Sequence, residues 1–499
     1  MSKRFRDSTL DQLLLLPPSL HDWLPKNHLA RFIAVVMKEL DLSAFYVEHE
    51  RKDGRGLAAY DPLMMTRLLL YGYAVGVTSS RRIERATYDD VAFRYLAADQ
   101  HPDHATIAAF REQHLKALAA LFQQALLLCQ QAGLVKLGNV AIDGTKILAN
   151  ASTRRSVPYQ KLKDREKHWE KVVADLLAAA EQTDSQEDRR YGKGQPADSV
   201  PPELADAQSR LEKIRQAKAE LEREAKEHLE DLERIAQEQR QARASQDGAA
   251  ESEEPSAADK TRRRDNAKKQ LKRARRNAES PRRQHNFVDP DSRVMLDTAR
   301  KCYVQAYNAQ AAADSHAQVI VAAEVTQQVN DKQQLVPMTK AVQKNTGGNP
   351  DVVTADCGYW DTDSLQNDVM RGIKVLVAPD SQPQAPDAIL PGNAPNNAAA
   401  KRMRKVLSSD SGRAQYRLRK AVIEPVFGQI KEARRIRRFG LRGLEQVDGE
   451  WKLICCTHNL LKLYRHRYPP PKPKRAKRGL RTARSPKVGF CRHRRFLRH

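Results

Sequence analysis

The sequence predicts an α/β protein: a small mixed sheet flanked by helices, preceded by an all-helical domain and interrupted after its first core strand by a long, coiled-coil-like insertion. Three observations predict it. From Leu29 to about Gln131 apolar residues recur at helical steps. Between Leu204 and Ile235 they recur as heptads. Elsewhere short β-branched runs alternate with helical stretches, in the order strand, insertion, two strands, helix, strand, helix, strand, helix. The organisation read from these shifts is a helical domain over 1–131, a first part of the core over 132–159, a helical and basic insertion over 160–285, the rest of the core over 286–465 and a basic tail over 466–499.

Taken in order, residues 1–28 form an irregular segment broken by Pro17, Pro18 and Pro25. LARFIAVVMKEL places Leu29, Phe32, Ile33, Val36 and Leu40 on one helical stripe. Asp61 caps the next helix, with Pro62 at its first position. Thr78-Ser79-Ser80 caps a third, SRRIERATYDDVAFRYLA, whose outer face carries Arg81, Arg82 and Arg85, and a last helix starts near Thr106. Basic residues near a helix start suit a domain that touches DNA, and equally an ordinary bundle. NVAIDGTKILANAS then reads as a strand interrupted by Asp143-Gly144; Asp143 is either a turn residue or, since an acid in a buried strand must be paired or coordinated, a metal ligand.

In the insertion, a helix over about 161–181 carries Leu162, Trp169, Val173, Leu176 and Ala180 and pairs with the heptad helix, about 40 residues and so about 60 Å long. His228 at a heptad core position reads as packing. The run KTRRRDNAKKQLKRARRN follows. VDPDSRVML opens the rest of the core with turn residues; KCYVQAYNAQAAAD and QVIVAAEVTQ read as two strands linked at Ser315 and His316. A helix over about 332–343, a strand in DVVTADCGYWD ended by Asp356, a helix over about 363–371, a strand in IKVLVAP and a loop over 379–412 come next.

YRLRKAVIEPVFGQIKEARRIRRF, 416–439, reads as one helix with Val422, Val426, Phe427, Ile430 and Ala433 on its packed stripe. Glu424 and Lys431 share a face two turns apart, among Arg417, Arg419, Lys420, Arg434, Arg435, Arg437 and Arg438. Either this is a solvated basic helix or the bases hold nucleic-acid phosphates while the acid holds a metal. Charge favours the second: the chain of 499 residues has a formal net charge of +25 and pI about 9.8, which attracts polyanions. No run of eighteen apolar residues is present, so neither a signal peptide nor a spanning helix is expected, and membrane binding ranks behind nucleic acid. Six cysteines without CxxC or His/Cys ligand spacing point to a reducing cytosol and against a zinc finger. Asp143, Asp356 and Glu424, brought together by strands and helix, would repel unless a cation lay between them. Hard oxygen donors favour Mg2+, with Mn2+ as substitute, and chemistry on a phosphodiester.

These residues carry a resemblance. PPSLHDWLPKNHLARFI and YDPLMMTRLLLYGYAVGVTSSRRIERATYDDVAFRYLA are similar to the N-terminal helical domain of insertion-sequence transposases of the DDE class, which have an RNase H-like core. IDGTKILANAS, TADCGYWD and IEPVFGQIKEARRIRRFGLRGLEQVDGEWKLICCTHNLLKL resemble the blocks that carry their acids. The resemblance implies an RNase H-like mixed sheet, Asp143, Asp356 and Glu424 as catalytic and metal-holding triad, and Lys431 touching DNA near the cut. It also implies that Tyr416 and Arg419 or Lys420 belong to a tyrosine, arginine, glutamate, lysine signature; Tyr416 to Glu424 is one residue longer than its usual spacing. Asp361 and Asp363 are alternative ligands, and Glu432 an alternative third acid. Arg434, Arg435, Arg438, Arg81 and Arg82 are expected to hold phosphates. The implied protein is a transposase, a homodimer on DNA in the bacterial cytoplasm and nucleoid, that acts on terminal inverted repeats and target DNA. The rivals are a metal-dependent nuclease or resolvase and an inactive DNA-binding derivative.

Overall fold

The computed structural model describes residues 19–46, 59–191, 202–246, 284–297, 301–380 and 397–469. The expected basic run at 260–277 and nearly all of the basic tail lie outside them, as do the first eighteen residues and residues 192–201 and 247–258.

Seven helices open the described chain: α1 (Leu20–Trp23), α2 (Leu29–Val36), α3 (Pro62–Val75), α4 (Ser80–Asp89), α5 (Val91–Leu96), α6 (His104–Gln113) and α7 (Leu115–Gln131). Asp61 accepts from the Leu63 N–H at 3.0 Å and Pro62 leads α3, as its sequence predicts. Gly76 ends α3 at φ +82°, and a Cβ there would run into the Arg434 carbonyl. The single helix expected over SRRIERATYDDVAFRYLA is two, because Asp90 leaves helical geometry and accepts from the Ala92 N–H at 2.7 Å, capping α5. His114 similarly divides α6 from α7.

The mixed sheet has six strands in the order β4 (Arg293–Asp297), β5 (Cys302–Asp314), β1 (Asn139–Leu148), β7 (Val352–Ala355), β8 (Lys374–Val377), with β6 (Ile320–Thr326) on β5. β1 pairs antiparallel with β5 and parallel with β7, and β7 is parallel with β8. The long β5 shares its other edge between β4, opposite residues 302–306, and β6, opposite residues 308–313. β4 is a strand where turn chemistry was expected to dominate; Val294 and Met295 pair with Gln305 and Val304. Helix α10 (Leu335–Thr346) covers one face through Leu335, Met338 and Val342. The helix expected over 363–371 is only a turn of α-helix, α11 (Thr362–Leu365), and a 3-10 turn at Asp368–Met370.

The insertion is a helical hairpin, α8 (Tyr159–Tyr191) against α9 (Pro202–Gln246), packed through Leu162, Ile214, Ala217 and Leu221. The ladder of β2 (Ser156–Pro158) on β3 (Gln284–Asn286) ties its two ends together at the base.

The loop expected over 379–412 contains helix α12 (Ala398–Ser408), whose Asn397 cap accepts from the Ala400 N–H and whose Ala400 and Leu407 are buried; Asn397 and its neighbours outweigh the loop-like composition before them. Helix α13 (Asp410–Gly428) follows, then a π turn (Gln429–Ala433). The helix expected to reach 439 therefore stops early. Ile436 and Phe439 are buried in the core, and the chain bends back so that Leu148 N–H donates to the Arg437 carbonyl and Phe439 N–H to the Leu148 carbonyl. Pro425 inside α13 has no N–H for the Ala421 carbonyl, and Gln318 Nε2 donates to it at 3.0 Å.

Helix α14 (Leu444–Arg467) runs between α7 and α3 on one side and β6 on the other, so one apolar core joins the N-terminal helices to the sheet. Trp451, wholly buried, donates from Nε1 to the Gln310 carbonyl, and Asn459 both accepts from and donates to the Ile320 backbone at 2.8 Å. Glu450, 1% exposed, accepts from Tyr73 Oη at 2.8 Å, from the Gly440 N–H at 2.8 Å and from the Leu441 N–H at 2.9 Å. Arg111 donates to Tyr73 Oη at 3.2 Å, completing a buried link between α3, α6 and α14. Truncating an acid that satisfies three donors leaves them buried without a partner. Glu450→Ala is expected to cost about 3 kcal/mol, seen as a lower urea midpoint with little change in m.

Candidate functional site

β1 runs unbroken through Asp143 and Gly144, with Asp143 opposite Ala311 of β5, so the Asp-Gly pair is strand and not turn. The parallel pairs of β1 and β7 end at Ala141 and Thr354. Two residues further along both strands stand Asp143 and Asp356, brought to the same end of a parallel pair by register alone. Val140 and Ile142 pack toward α10 and Ala141 and Ile147 toward α13, so strand alternation turns Asp143 toward α13. Asp356 caps the turn Cys357–Tyr359, its Oδ1 accepting from the Gly358 N–H at 2.8 Å.

Burial, then the charge of Asp356, pushes the Asp143 carboxyl up to about 7, against the opposing pull of Arg419 and the Gly144 N–H. Burial also raises Asp356, with Arg419 and the backbone donors working the other way. Arg419 Nη1 is 3.5 Å from Asp143 Oδ2, a loose pairing across partly buried groups.

Helix α13 faces the sheet with Arg419, Val422, Ile423 and Val426, which puts a guanidinium in an otherwise apolar stripe. Glu424 lies on this helix and is exposed, as is Lys420. Lys431, in the π turn, donates to Thr145 Oγ1 at 3.0 Å and to the Lys146 carbonyl at 3.3 Å, beside the strand that carries Asp143. Tyr416 is half-buried against Leu376 and Leu407, with the Arg419 guanidinium 5.8 Å from its ring centre. Arg435 and Arg438 are exposed, Arg438 donating to the Ala149 carbonyl at 2.7 Å, and Arg81 and Arg82 are exposed on α4. Arg434 is inside: 6% exposed, it donates to Thr457 Oγ1 at 2.8 Å, and burial lowers it to about 10. The bend after the π turn carries it inward, away from the outer face expected of a phosphate contact. Asp361 caps α11 through Ser364 and pairs with Lys332 at 3.5 Å, Asp363 is exposed, and Glu432 pairs with Arg437.

One acid near the pair had no periodic signal in the sequence. Asp331 lies in the loop between β6 and α10, and its charge adds to the upward shift of both Asp143 and Asp356. The signal available was Asn308 and Gln310, polar residues on one face of an alanine-rich, buried strand; both donate to Asp331 Oδ1.

Among the described residues no three His, Cys, Asp or Glu side chains are grouped as ligands of one ion. The pair Asp143 and Asp356 nevertheless fits a hard divalent cation: both donors are carboxylate oxygens, both are penalised by burial, and Arg419 is a weak counter-charge. Mg2+ commonly takes one or two carboxylates and completes its shell with water and phosphate oxygens.

A carboxyl raised in the folded state stabilises the fold at pH values below its unfolded value, and that contribution is lost as pH rises through its folded value. For Asp143 the window runs from about pH 4 to about 7. In EDTA, Asp143→Asn is expected to melt several degrees above the wild type at pH 8, the gap closing toward pH 4; equal gaps at both pH values in thermal melts would count against the burial of this charge.

Two family models match the chain. One, described as Transposase domain (DUF772), covers residues 18–113, and the other, described as Transposase DDE domain, covers residues 390–464. No curated protein and no solved structure matches. The first match spans α1 to α6; the second spans α12, α13 with Tyr416 and Glu424, the π turn with Lys431, and most of α14. Transposase-family sequence at both ends of a mixed α/β fold compatible with an RNase H-like core supports an insertion-sequence DDE transposase.

Proposed function

We propose that the protein binds the terminal inverted repeats of its own insertion sequence, cuts the DNA there and joins the freed 3′ ends to target DNA. The observation that carries this reading is the meeting of Asp143 and Asp356 at one end of the β1–β7 pair, in a chain with a DDE-domain match. Asp143 and Asp356 hold the metal at the strand ends; Glu424, exposed on α13 and outside any three-ligand group among the described residues, is assigned as the third catalytic and metal-holding acid on the family resemblance. A divalent ion, Mg2+ or Mn2+ in its place, would supply positive charge to the attacked phosphodiester.

The protein's own part is to bind and orient. Lys431 holds a phosphate next to Thr145, close to the cut. Arg419, aimed at the acids, orients the scissile group, and Tyr416 backs it. Lys420, Arg435, Arg438, Arg81 and Arg82 are exposed bases available to the flanking backbone, whereas Arg434 is left out of that set by its burial. Water is the first nucleophile and the 3′-hydroxyl of the cut strand the second, so no covalent protein intermediate is needed. Two ends must be handled together, which asks for a homodimer on DNA. No helix of the described residues is long and apolar enough to cross a membrane; the place of action is the bacterial cytoplasm, at the nucleoid.

Purified protein and DNA bearing the element's ends, with Mg2+ or EDTA, test this by reading cleaved and joined products together. Metal-dependent cleavage and joining are expected. Cleavage without joining would make the protein a nuclease or resolvase, and binding without chemistry an inactive derivative. Asp143→Ala, Asp356→Ala and Glu424→Ala are each expected to lower cleavage by at least a thousandfold while gel-shift affinity stays within a few-fold. Lys431→Ala is expected to keep measurable activity, about a tenth to a hundredth of wild type. Affinity for DNA should fall steeply between 50 and 200 mM salt, as binding through many phosphate contacts does.

A further inference from the structure

The mixed sheet brings a third carboxylate to the acid pair. β7 ends at Ala355, so beyond Ala141 β1 has no β7 partner, and side chains from both faces reach this gap. Asp143 approaches from the α13 face. Asp331 approaches from the α10 face, where Asn308 and Gln310 also point by strand alternation.

Asp331 is held in one orientation. Its Oδ1 accepts from Asn308 Nδ2 at 2.6 Å and Gln310 Nε2 at 2.7 Å, and Lys146 Nζ stands 3.9 Å from the same oxygen. Both amides are themselves fixed: Asn308 Nδ2 also donates to the Gln328 carbonyl, and the buried Tyr359 hydroxyl donates to Gln310 Oε1. Oδ2 is turned toward Asp356. The position a Cβ would take at Gly358 is 3.7 Å from Asp331 Oδ2 and 3.0 Å from Asp356 Oδ1.

Gly144 makes the arrangement possible. A Cβ there would collide with Gln310 Nε2 and stand 2.6 Å from Asp331 Oδ1 and 2.9 Å from Asn308 Oδ1. This gives the glycine of IDGT a reason: it lets the amide-held acid press against β1 one residue past Asp143. Asn308, wholly buried, has one further feature. Its Oδ1 meets no hydrogen-bond donor among the described residues. Three acids facing two bases, Arg419 and Lys146, beside an acceptor without a donor, are short of positive charge and of O–H donors at once. The hydration shell of a divalent cation supplies both.

We propose that Asp331, oriented by Asn308 and Gln310, is a positioning residue of the metal site, an outer carboxylate that strengthens divalent-cation binding by Asp143 and Asp356. This rests on reading that pair as the cation site. Outer-shell partners of metal ligands typically carry 10- to 100-fold in metal affinity.

The test is Mn2+ titration of the full chain without DNA, followed by loss of the free-ion electron paramagnetic resonance signal, for wild type, Asp331→Asn and Asp143→Asn. Asp331→Asn keeps an oxygen for the two amide donors and removes only the charge. It is expected to weaken Mn2+ binding about tenfold, with a melting temperature in EDTA no lower than wild type. Asp143→Asn is expected to abolish binding. If Asp143→Asn abolishes binding and Asp331→Asn stays within twofold of wild type, the role of Asp331 is overturned and the pair stands. If wild type binds no Mn2+, or Asp143→Asn binds it as well as wild type, the reading of the pair falls and that of Asp331 with it. Asp331→Ser, smaller and equally uncharged, carries the same expectation should Asp331→Asn not fold.

Discussion

The structure depends on keeping two carboxylates close together in a place that penalises both. Asp143 and Asp356 stand where the hydrogen bonds of a parallel strand pair run out, and each is raised by burial before any neighbouring charge is considered. Repulsion between them favours separation. What prevents it is the sheet: β1 is clamped between β5 and β7, with Val140, Ile142, Val353 and Ala355 in one apolar core on the α10 face. Moving Asp143 away would break that ladder or open that core.

The two faces of the sheet divide the work. On one, α13 supplies Arg419 in a row with Val422, Ile423 and Val426, so a cation is pressed toward the acids by hydrophobic packing. On the other, Asn308 and Gln310 hold Asp331 with neutral amides that orient a charge without cancelling it. α14 then makes sheet and N-terminal helices a single body: Trp451 reaches β5, Asn459 pairs with β6, and Glu450 gathers α3 and α6 through Tyr73 and Arg111. The N-terminal helices, with Arg81 and Arg82 exposed on α4, are thereby packed into one core with the strands that carry the acids.

Much of this was legible in the chain. Short β-branched apolar runs located β1 and β5 to β8, and heptads the α8–α9 hairpin, because a buried run and a repeat of 3.5 each report the geometry of their element. Asp143, Asp356 and Glu424 stood out as acids where burial or basic neighbours made them costly. Other features were not legible for specific reasons. Asp90 and His114 split helices whose apolar stripes continue across the break. Arg434 reads as one more surface base, and only the π turn and the return of Phe439 to the sheet carry it inside. Asp331 lies in an aperiodic loop, and its meaning comes from two amides more than twenty positions earlier.

The sequence by itself determined the kinds of element, the position of the two strand acids and the chemistry open to them, since local spacing and residue type suffice for these. Tertiary structure decided which acids meet, which bases remain outside, and what a side chain at residue 144 would collide with. Those are matters of register and of close approach between segments remote in the chain: β1 beside β7, the Asp331 loop against β1, and the Arg434 bend against α3. No local pattern encodes such distances, because each depends on the packing of the whole core.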